Sequence, residues 1–383
     1  MKSLDIFAAD KLAPLVEQGL KREITVTDRW AAGQARRAGR PLLSFCCNDY
    51  LDFTHHPKVK QAAKDAIDRY GAGAGASRLI TGNHPLIAEL EKRLAALKGT
   101  EDACLFSSGY LANIGIIPTL VSKDDVIFLD ELSHACLRAG SSLAASTTYT
   151  FRHNDLNHLQ ELIFKNRKNH PRALIVTDGV FSMDGDLAPL DQLAQLARET
   201  DCWLMTDDAH GIGVIGGGRG SRHAFDPPPA IPLQMGTLSK GIGSFGGYLC
   251  ASKPVIDLMK TRARSLIYTT ALPPASVAAA LAALDIIETD PVYCQRPLQN
   301  AKHFTDSLGL PAPESPIVPI IIGPTDKTMR HAKSLEEDGF LVTGIRPPTV
   351  SVGTARLRFT FSAAHKEREI NALTDSIRRL GIV

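Results

Sequence analysis

The chain of 383 residues lacks net charge: 43 Lys and Arg stand against 41 Asp and Glu, leaving +2. That absence argues against a nucleic-acid binder whose affinity rests on phosphate neutralisation. It leaves room for a local basic patch that meets a phosphorylated ligand. Paired cysteine spacing is missing as well. The seven cysteines, Cys46, Cys47, Cys104, Cys136, Cys202, Cys250 and Cys294, are odd in number and show no C-x-x-C pattern. Neither a metal site nor a disulfide framework is expected. Most of them lie in apolar runs, where a free cysteine is a small core residue, and a cytoplasmic, reducing setting fits. Long hydrophobic runs are absent too. The longest, residues 277–284, is alanine-rich and far too short to cross a bilayer, and residues 1–10 have no signal-type hydrophobic region. What is present, 44% hydrophobic and 22% charged residues, is the composition of an ordinary globular protein long enough for two domains.

Apolar strands alternate with amphipathic helices along most of the chain. Strands are expected at 42–45, 103–106, 125–129, 148–151, 172–177, 202–206 and 247–251, with helices at 57–70, 84–97, 111–120, 133–145, 155–168 and 186–199. This is the pattern of an α/β protein with a mostly parallel sheet covered on both faces. Residues 1–45 are read as an N-terminal helical arm and residues 46–288 as the large domain, closed by an alanine-rich helix over 275–288. Residues 289–383 form a smaller α+β domain with strands at 317–322, 340–343 and 356–361 and helices at 325–337 and 365–380.

In such sheets ligands sit beyond the carboxyl ends of the strands, and the polar clusters fall there. Thr237-Leu-Ser-Lys240-Gly sets one lysine among small hydroxyl residues and glycine. On its own this is also what a surface turn looks like. An amine held in a pocket forms an imine with a carbonyl, the lysine version of covalent catalysis. Asp207-Asp208-Ala209-His210 follows a buried-type strand. Either aspartate alone can be a helix cap, but a carboxylate there could also hold a proton on a heteroaromatic nitrogen. His134 opens a helix and is either a capping histidine or a flat side chain stacked on an aromatic ligand. Ser182 is a turn residue or a hydroxyl directed at that ligand. Ser108-Gly109-Tyr110 opens another helix, where free N–H groups bind phosphate, with Thr237 and Ser239 as further donors. Two G-x-G-x-x-G matches, at 211–216 and 241–246, do not stand in a strand–turn–helix context, so a dinucleotide site is not expected.

A lysine, a carboxylate at a strand end, a stacking histidine and a phosphate-binding helix start are the requirements of pyridoxal 5'-phosphate. The chain resembles the α-oxoamine synthases, members of the aspartate-aminotransferase fold type I. The matching stretches are Asn48-Asp-Tyr-Leu51, Ser107-Ser-Gly-Tyr110, Leu132-Ser-His134, Gly179-Val-Phe-Ser-Met-Asp-Gly-Asp186, Asp207-Asp-Ala-His-Gly211, Thr237-Leu-Ser-Lys240 and Tyr268-Thr-Thr-Ala-Leu-Pro-Pro274. Ile345-Arg-Pro-Pro-Thr-Val350 and Gly353-Thr-Ala-Arg-Leu-Arg358 resemble the biotin-pathway branch, although Ser351 replaces a common proline and Cys46-Cys47 a more usual pair of serines.

The resemblance implies a mostly parallel seven-stranded sheet and a homodimer with its active sites at the interface. It implies that Lys240 anchors the cofactor, Asp207 pairs with its ring nitrogen, His134 stacks on the ring and His210 bonds the ring oxygen. Ser182, Gly109, Tyr110, Thr237 and Ser239 surround the cofactor, and Thr269 or Thr270 reaches the partner's phosphate. Arg358, helped by Asn48, takes the amino-acid carboxylate, and Thr349 lines the acyl site. Lys21-Arg22 is the local match to an N-terminal substrate-binding arginine, with Arg22 preferred. The implied reaction condenses L-alanine with a pimeloyl thioester, on coenzyme A or acyl-carrier protein, with loss of CO2. A ligase joining glycine to acetyl-CoA, a plain aminotransferase and a non-catalytic scaffold are the alternatives.

Overall fold

Near-continuous apolar strands require cover on both faces, and the fold supplies it in a computed structural model that describes residues 2–31 and 33–383. The N-terminal strands are β1 (Asp28–Ala31), β2 (Gln34–Arg37) and β3 (Arg40–Ser44). The central strands are β4 (Asp102–Phe106), β5 (Val126–Asp130), β6 (Thr147–Phe151), β7 (Ala173–Asp178), β8 (Trp203–Asp207), β9 (Leu233–Thr237) and β10 (Gly247–Ala251). The C-terminal strands are β11 (Ile317–Gly323), β12 (Phe340–Leu341), β13 (Thr343–Ile345) and β14 (Ala355–Thr360).

The central sheet has seven strands in the order β4-β10-β9-β8-β7-β5-β6. Only β10 runs antiparallel to its neighbours. The carboxyl ends of β4, β5, β7, β8 and β9 therefore meet along one edge. Helices pack on both faces. On one, the helix Pro274–Thr289 buries Val277, Ala280, Ala283 and Leu284 near Val59 of the helix Pro57–Tyr70. Its alanines let the two helix backbones come close. On the other, Ala112, Ile116 and Ile117 of the helix Gly109–Leu120 join Leu137 and Met259.

Strand β9 escapes the sequence pattern because Gln234 and Gly236 interrupt its apolar run. The fold explains both. Gln234 is 2% exposed, and its amide Nε2 donates to the backbone oxygens of Lys98 and Ile231. A Cβ on Gly236 would stand 2.3 Å from the Tyr248 hydroxyl oxygen. The helix Pro291–Leu308 was also not expected. Its own start signal is present, since Asp290 caps the Tyr293 N–H at 2.9 Å and Pro291 opens the first turn.

The helical arm expected over residues 1–45 needs correction. Among its described residues only Lys2–Glu17 is helical, and none of that helix is buried. β1 and β2 follow where helix was expected, β3 falls on the strand expected at 42–45, and β3 pairs in parallel with β12 from near residue 340. Phe45, 0% exposed, packs among Phe340 and Phe361 in the C-terminal core. Burying a phenylalanine in this way contributes about 1.5–3 kcal/mol, enough to tie the N-terminal segment to the smaller domain. Strands β11, β14 and β13 complete that domain as an antiparallel sheet.

Candidate active site

Strand β9 ends at Thr237, and the chain turns sharply from Leu238 to Gly246 before entering β10. Thr237 Oγ1 donates to the Gly246 oxygen at 2.7 Å and lies 2.8 Å from Ser239 Oγ. Gly241 is required by contact: a Cβ there would sit 2.4 Å from the Ile212 oxygen. The turn thus presses against the loop after β8 and points Lys240 inward. Its Nζ lies 2.7 Å from His210 Nε2, and His210 Nδ1 lies 2.6 Å from the Tyr50 hydroxyl. Burial pushes the Lys240 amine below its usual range. The Asp207 charge opposes that shift and the Arg358 charge adds to it. His210 is driven well below its ordinary value by burial, then by the Lys240 and Arg358 charges, so it stays neutral.

Asp207 closes β8, in register with Asp178 of β7. Its Oδ2 accepts from Asn113 Nδ2 at 2.7 Å and its Oδ1 from the Ala209 N–H at 3.0 Å. Asp178 accepts the His134 N–H at 3.0 Å, and burial together with the Asp207 charge pushes its carboxyl well above the usual range. One cavity of about 230 Å³ is lined by Gly109, Tyr110, His134, Asp207, His210, Thr237, Ser239 and Lys240, with Ser108, Cys136, Asp178, Ala209 and Met235. Burial lowers the His134 imidazole, with Asp207 opposing and Lys240 adding.

The donor set of this cavity fits pyridoxal phosphate. The N–H groups of Gly109 and Tyr110 are among those that an α-helix leaves free at its start. With the Thr237 and Ser239 hydroxyls they form a neutral, donor-rich cradle for a phosphate. A Cβ on Gly109 would come within 3.2 Å of Met235 Cε and 3.4 Å of Thr237 Cβ, so a side chain would narrow that cradle. Asp207 offers only acceptors, which a protonated ring nitrogen requires.

A second cavity, about 830 Å³, shares His134 and adds Ser182, Thr349, Arg138 and Arg356. Arg358 lies behind it. Its Nε donates to the Ser182 oxygen at 2.5 Å, and both terminal nitrogens reach Asn48 Oδ1 at 3.2 Å. Asn48 Oδ1 also accepts from Tyr50 at 3.4 Å, which links Arg358 through His210 to Lys240. Arg22 donates to Thr349 Oγ1 at 2.9 Å, whereas Lys21 offers its backbone oxygen to Arg346.

Thr269 and Thr270 are not brought to the Lys240 cavity of their own chain. They line a separate small pocket with Ser107 and Arg78. Tyr50, Asn113, Cys136 and Arg356 were missed as site residues. Asn113 had a signal: it is an amide in an otherwise apolar helix, one turn beyond Gly109. Both glycine-rich matches have structural causes: a Cβ on Gly211, in the first, would lie 2.0 Å from an Asp208 carboxylate oxygen, as one on Gly220 just beyond it would at 1.9 Å, and one on Gly241, in the second, 2.4 Å from the Ile212 oxygen.

A family model described as aminotransferase class I and II matches residues 40–377. The 8-amino-7-oxononanoate synthase of Beijerinckia indica subsp. indica is 61% identical over 382 residues, covering 99% of this chain and 98% of that relative. Among solved structures, a serine palmitoyltransferase of S. paucimobilis with bound PLP–myriocin aldimine superposes with a TM-score of 0.92 at 28% identity, covering 100% of this chain and 99% of that one. The 8-amino-7-oxononanoate synthase of Francisella tularensis gives 0.75 at 28% identity, over 89% of this chain and 99% of that one.

Proposed function

Because the chain belongs to the class I and II aminotransferase family, and within it to the α-oxoamine synthases, we propose a residue-level account of its reaction. The enzyme is a pyridoxal-phosphate-dependent acyltransferase of biotin biosynthesis. It condenses L-alanine with a pimeloyl thioester to give 8-amino-7-oxononanoate, CO2 and the free carrier thiol. When bound, pyridoxal phosphate supplies an electron sink for the negative charge left at the alanine Cα.

Lys240 would anchor the cofactor, and its Nζ, when free, would take the alanine Cα proton. Its buried position lowers the amine's proton affinity, which increases the share of neutral amine available as a base. Asp207 holds a proton on the ring nitrogen, steadied by Asn113 and the Ala209 N–H. His134 would stack on the ring, and His210 would bond the ring oxygen. Ser182 supports the same region. Gly109, Tyr110, Thr237 and Ser239 hold the phosphate, and Thr269 or Thr270 reaches the site of a second subunit.

Arg358 binds the alanine carboxylate by a two-pronged, charge-assisted contact, with Asn48 as the neighbouring amide. Arg22 and Thr349 line the acyl site. There the bond from Cα to the acyl carbon forms, the carbon–sulfur bond breaks and the thiol leaves with a proton. The bond from Cα to its carboxyl group then breaks, CO2 departs, and the electron pair left at Cα takes up a proton drawn from water to give the product. The large domain is taken as residues 46–288 and the small one as 289–383. A homodimer in the cytoplasm completes the proposal; no described helix is long and apolar enough to cross a membrane.

The observation that supports this reading most is the convergence of Lys240, Asp207 and a free helix start on one cavity. The test is a matrix of amino acids against acyl thioesters, with products identified by mass. Alanine with pimeloyl-CoA or pimeloyl-acyl-carrier protein should release thiol and CO2 together. Preference for glycine with acetyl-CoA would overturn the substrate assignment.

A further inference from the structure

His153 lies outside the residues assigned above, yet it joins two loops that both line the 830 Å³ cavity. Its Nδ1 is 3.1 Å from Asp130 Oδ1 and its Nε2 is 2.7 Å from Asp186 Oδ2. Asp130 ends β5, and its carboxylate also accepts the N–H groups of Leu132 at 2.8 Å and Asn154 at 2.9 Å. The chain from Leu132 to His134 is one wall of the cavity. Asp186 closes the turn that Phe181 opens, because the Phe181 N–H donates to the Asp186 oxygen at 3.0 Å. Ser182, Met183 and Asp184, inside that turn, are the other wall. The His153 N–H donates to Glu131 Oε1 at 2.9 Å, and the Phe181 ring stands edge-on to the imidazole at 4.4 Å. Each ring nitrogen faces a carboxylate, so both carry protons. Burial opposes that charge, but hydrogen bonds to Asp130 and Asp186 outweigh it and raise the imidazole to about 10.

We infer that His153 is a positioning residue for the acyl thioester: its ring ties the Asp130 end of the His134 loop to the Asp186 end of the Ser182 loop and so sets the width of the acyl-donor cavity. This rests on the acyltransferase reading above. The amino-acid side of the site meets the clamped loop at one point, the Ser182 oxygen that accepts from Arg358 Nε at 2.5 Å, while Asn48 holds both terminal nitrogens of Arg358 at 3.2 Å outside the clamp. Losing the clamp therefore widens the acyl cavity and disturbs alanine binding less, through the single Ser182 contact.

The experiment uses holoenzyme of wild type, His153→Gln, Asp186→Asn and the double variant. It reads the KM for pimeloyl-CoA from thiol release, and alanine affinity from the change in cofactor absorbance with alanine alone. His153→Gln should raise the KM about tenfold while alanine affinity moves less than about twofold. The double variant should be no more than about twofold worse than the poorer single one, since the two residues act as a unit. An unchanged KM, an alanine affinity that falls as far as the KM rises, or independent multiplication of the two effects overturns the proposal. If His153→Gln does not fold, the part-exposed Asp186→Asn variant is decisive on the same two readings. A wild type that releases no thiol from alanine and pimeloyl-CoA sinks the acyltransferase reading itself and the clamp with it; a variant pattern that fails beside an active wild type sinks only the clamp.

Discussion

Asp207 and Asp208 are neighbours in sequence with opposite employment. Asp207 faces the cavity, and its charge is met by an amide, a backbone N–H and whatever enters beside Lys240. Asp208 turns to the other side of the strand end. There it meets Lys98, whose Nζ is 2.6 Å away, with both side chains no more than 2% exposed. Asp208 also accepts the Ser221 N–H at 3.0 Å, while Lys98 donates to the Arg219 oxygen at 2.9 Å. The pair is the centre around which the glycine-rich loop after β8 is wound. One carboxylate meets only neutral donors of the protein and faces the cavity, where it can serve a ligand. Its neighbour meets a buried cation and serves the fold.

Breaking each side of this contrast has a distinct signature. The largest effect belongs to the cavity itself: Lys240→Ala should lower turnover by about 10⁴-fold or more and abolish the visible absorbance of bound cofactor, read in a spectral scan. Next comes Asp208→Asn, which strands the buried Lys98 charge and should cost about 3–5 kcal/mol in urea unfolding. The folded fraction should keep near-normal turnover, and Lys98→Met combined with Asp208→Asn should recover part of the lost stability. Asp207→Asn should do the reverse. It should lower kcat by about 10²–10³-fold with little change in the urea midpoint. Equal losses of stability and turnover in both aspartate variants would erase the distinction.

The smallest effect concerns the third charged cluster, around His153. Its imidazole is raised from 6.5 to about 10 in the fold, so its contribution to stability is fully present below pH 6.5 and is lost as pH rises through about 10. The stability gap between wild type and His153→Gln, from urea midpoints, should therefore be widest near about pH 6 and shrink by about pH 10.

Much of the large domain was legible in the sequence. The helix expected at 57–70 is Pro57–Tyr70, and the strand expected at 247–251 is Gly247–Ala251. Both have local causes, a proline at the helix start and an unbroken apolar strand. Lys240, Asp207 and His134 stood out as polar residues at strand ends or helix starts. Less legible were features whose cause lies in a distant segment. Gln234 and Gly236 look wrong for a buried strand until Lys98 and Tyr248 are placed beside them. β1 and β2 carry no strong strand pattern, unlike β3, which falls on the strand expected at 42–45, and β12, the parallel neighbour of β3, is contributed from near residue 340.

The order of strands and helices, the absence of a dinucleotide turn context and the chemical inventory of one amine, carboxylates and a helix start were determined by the sequence alone, because propensity, periodicity and turn chemistry act over a few residues. The division of labour between Asp207 and Asp208, the chain from Lys240 through His210 and Tyr50 to Asn48 and Arg358, and the union of both chain ends in one small domain were decided by tertiary structure. Each depends on which distant groups supply a hydrogen bond, a countercharge or apolar cover, and no local pattern carries that information.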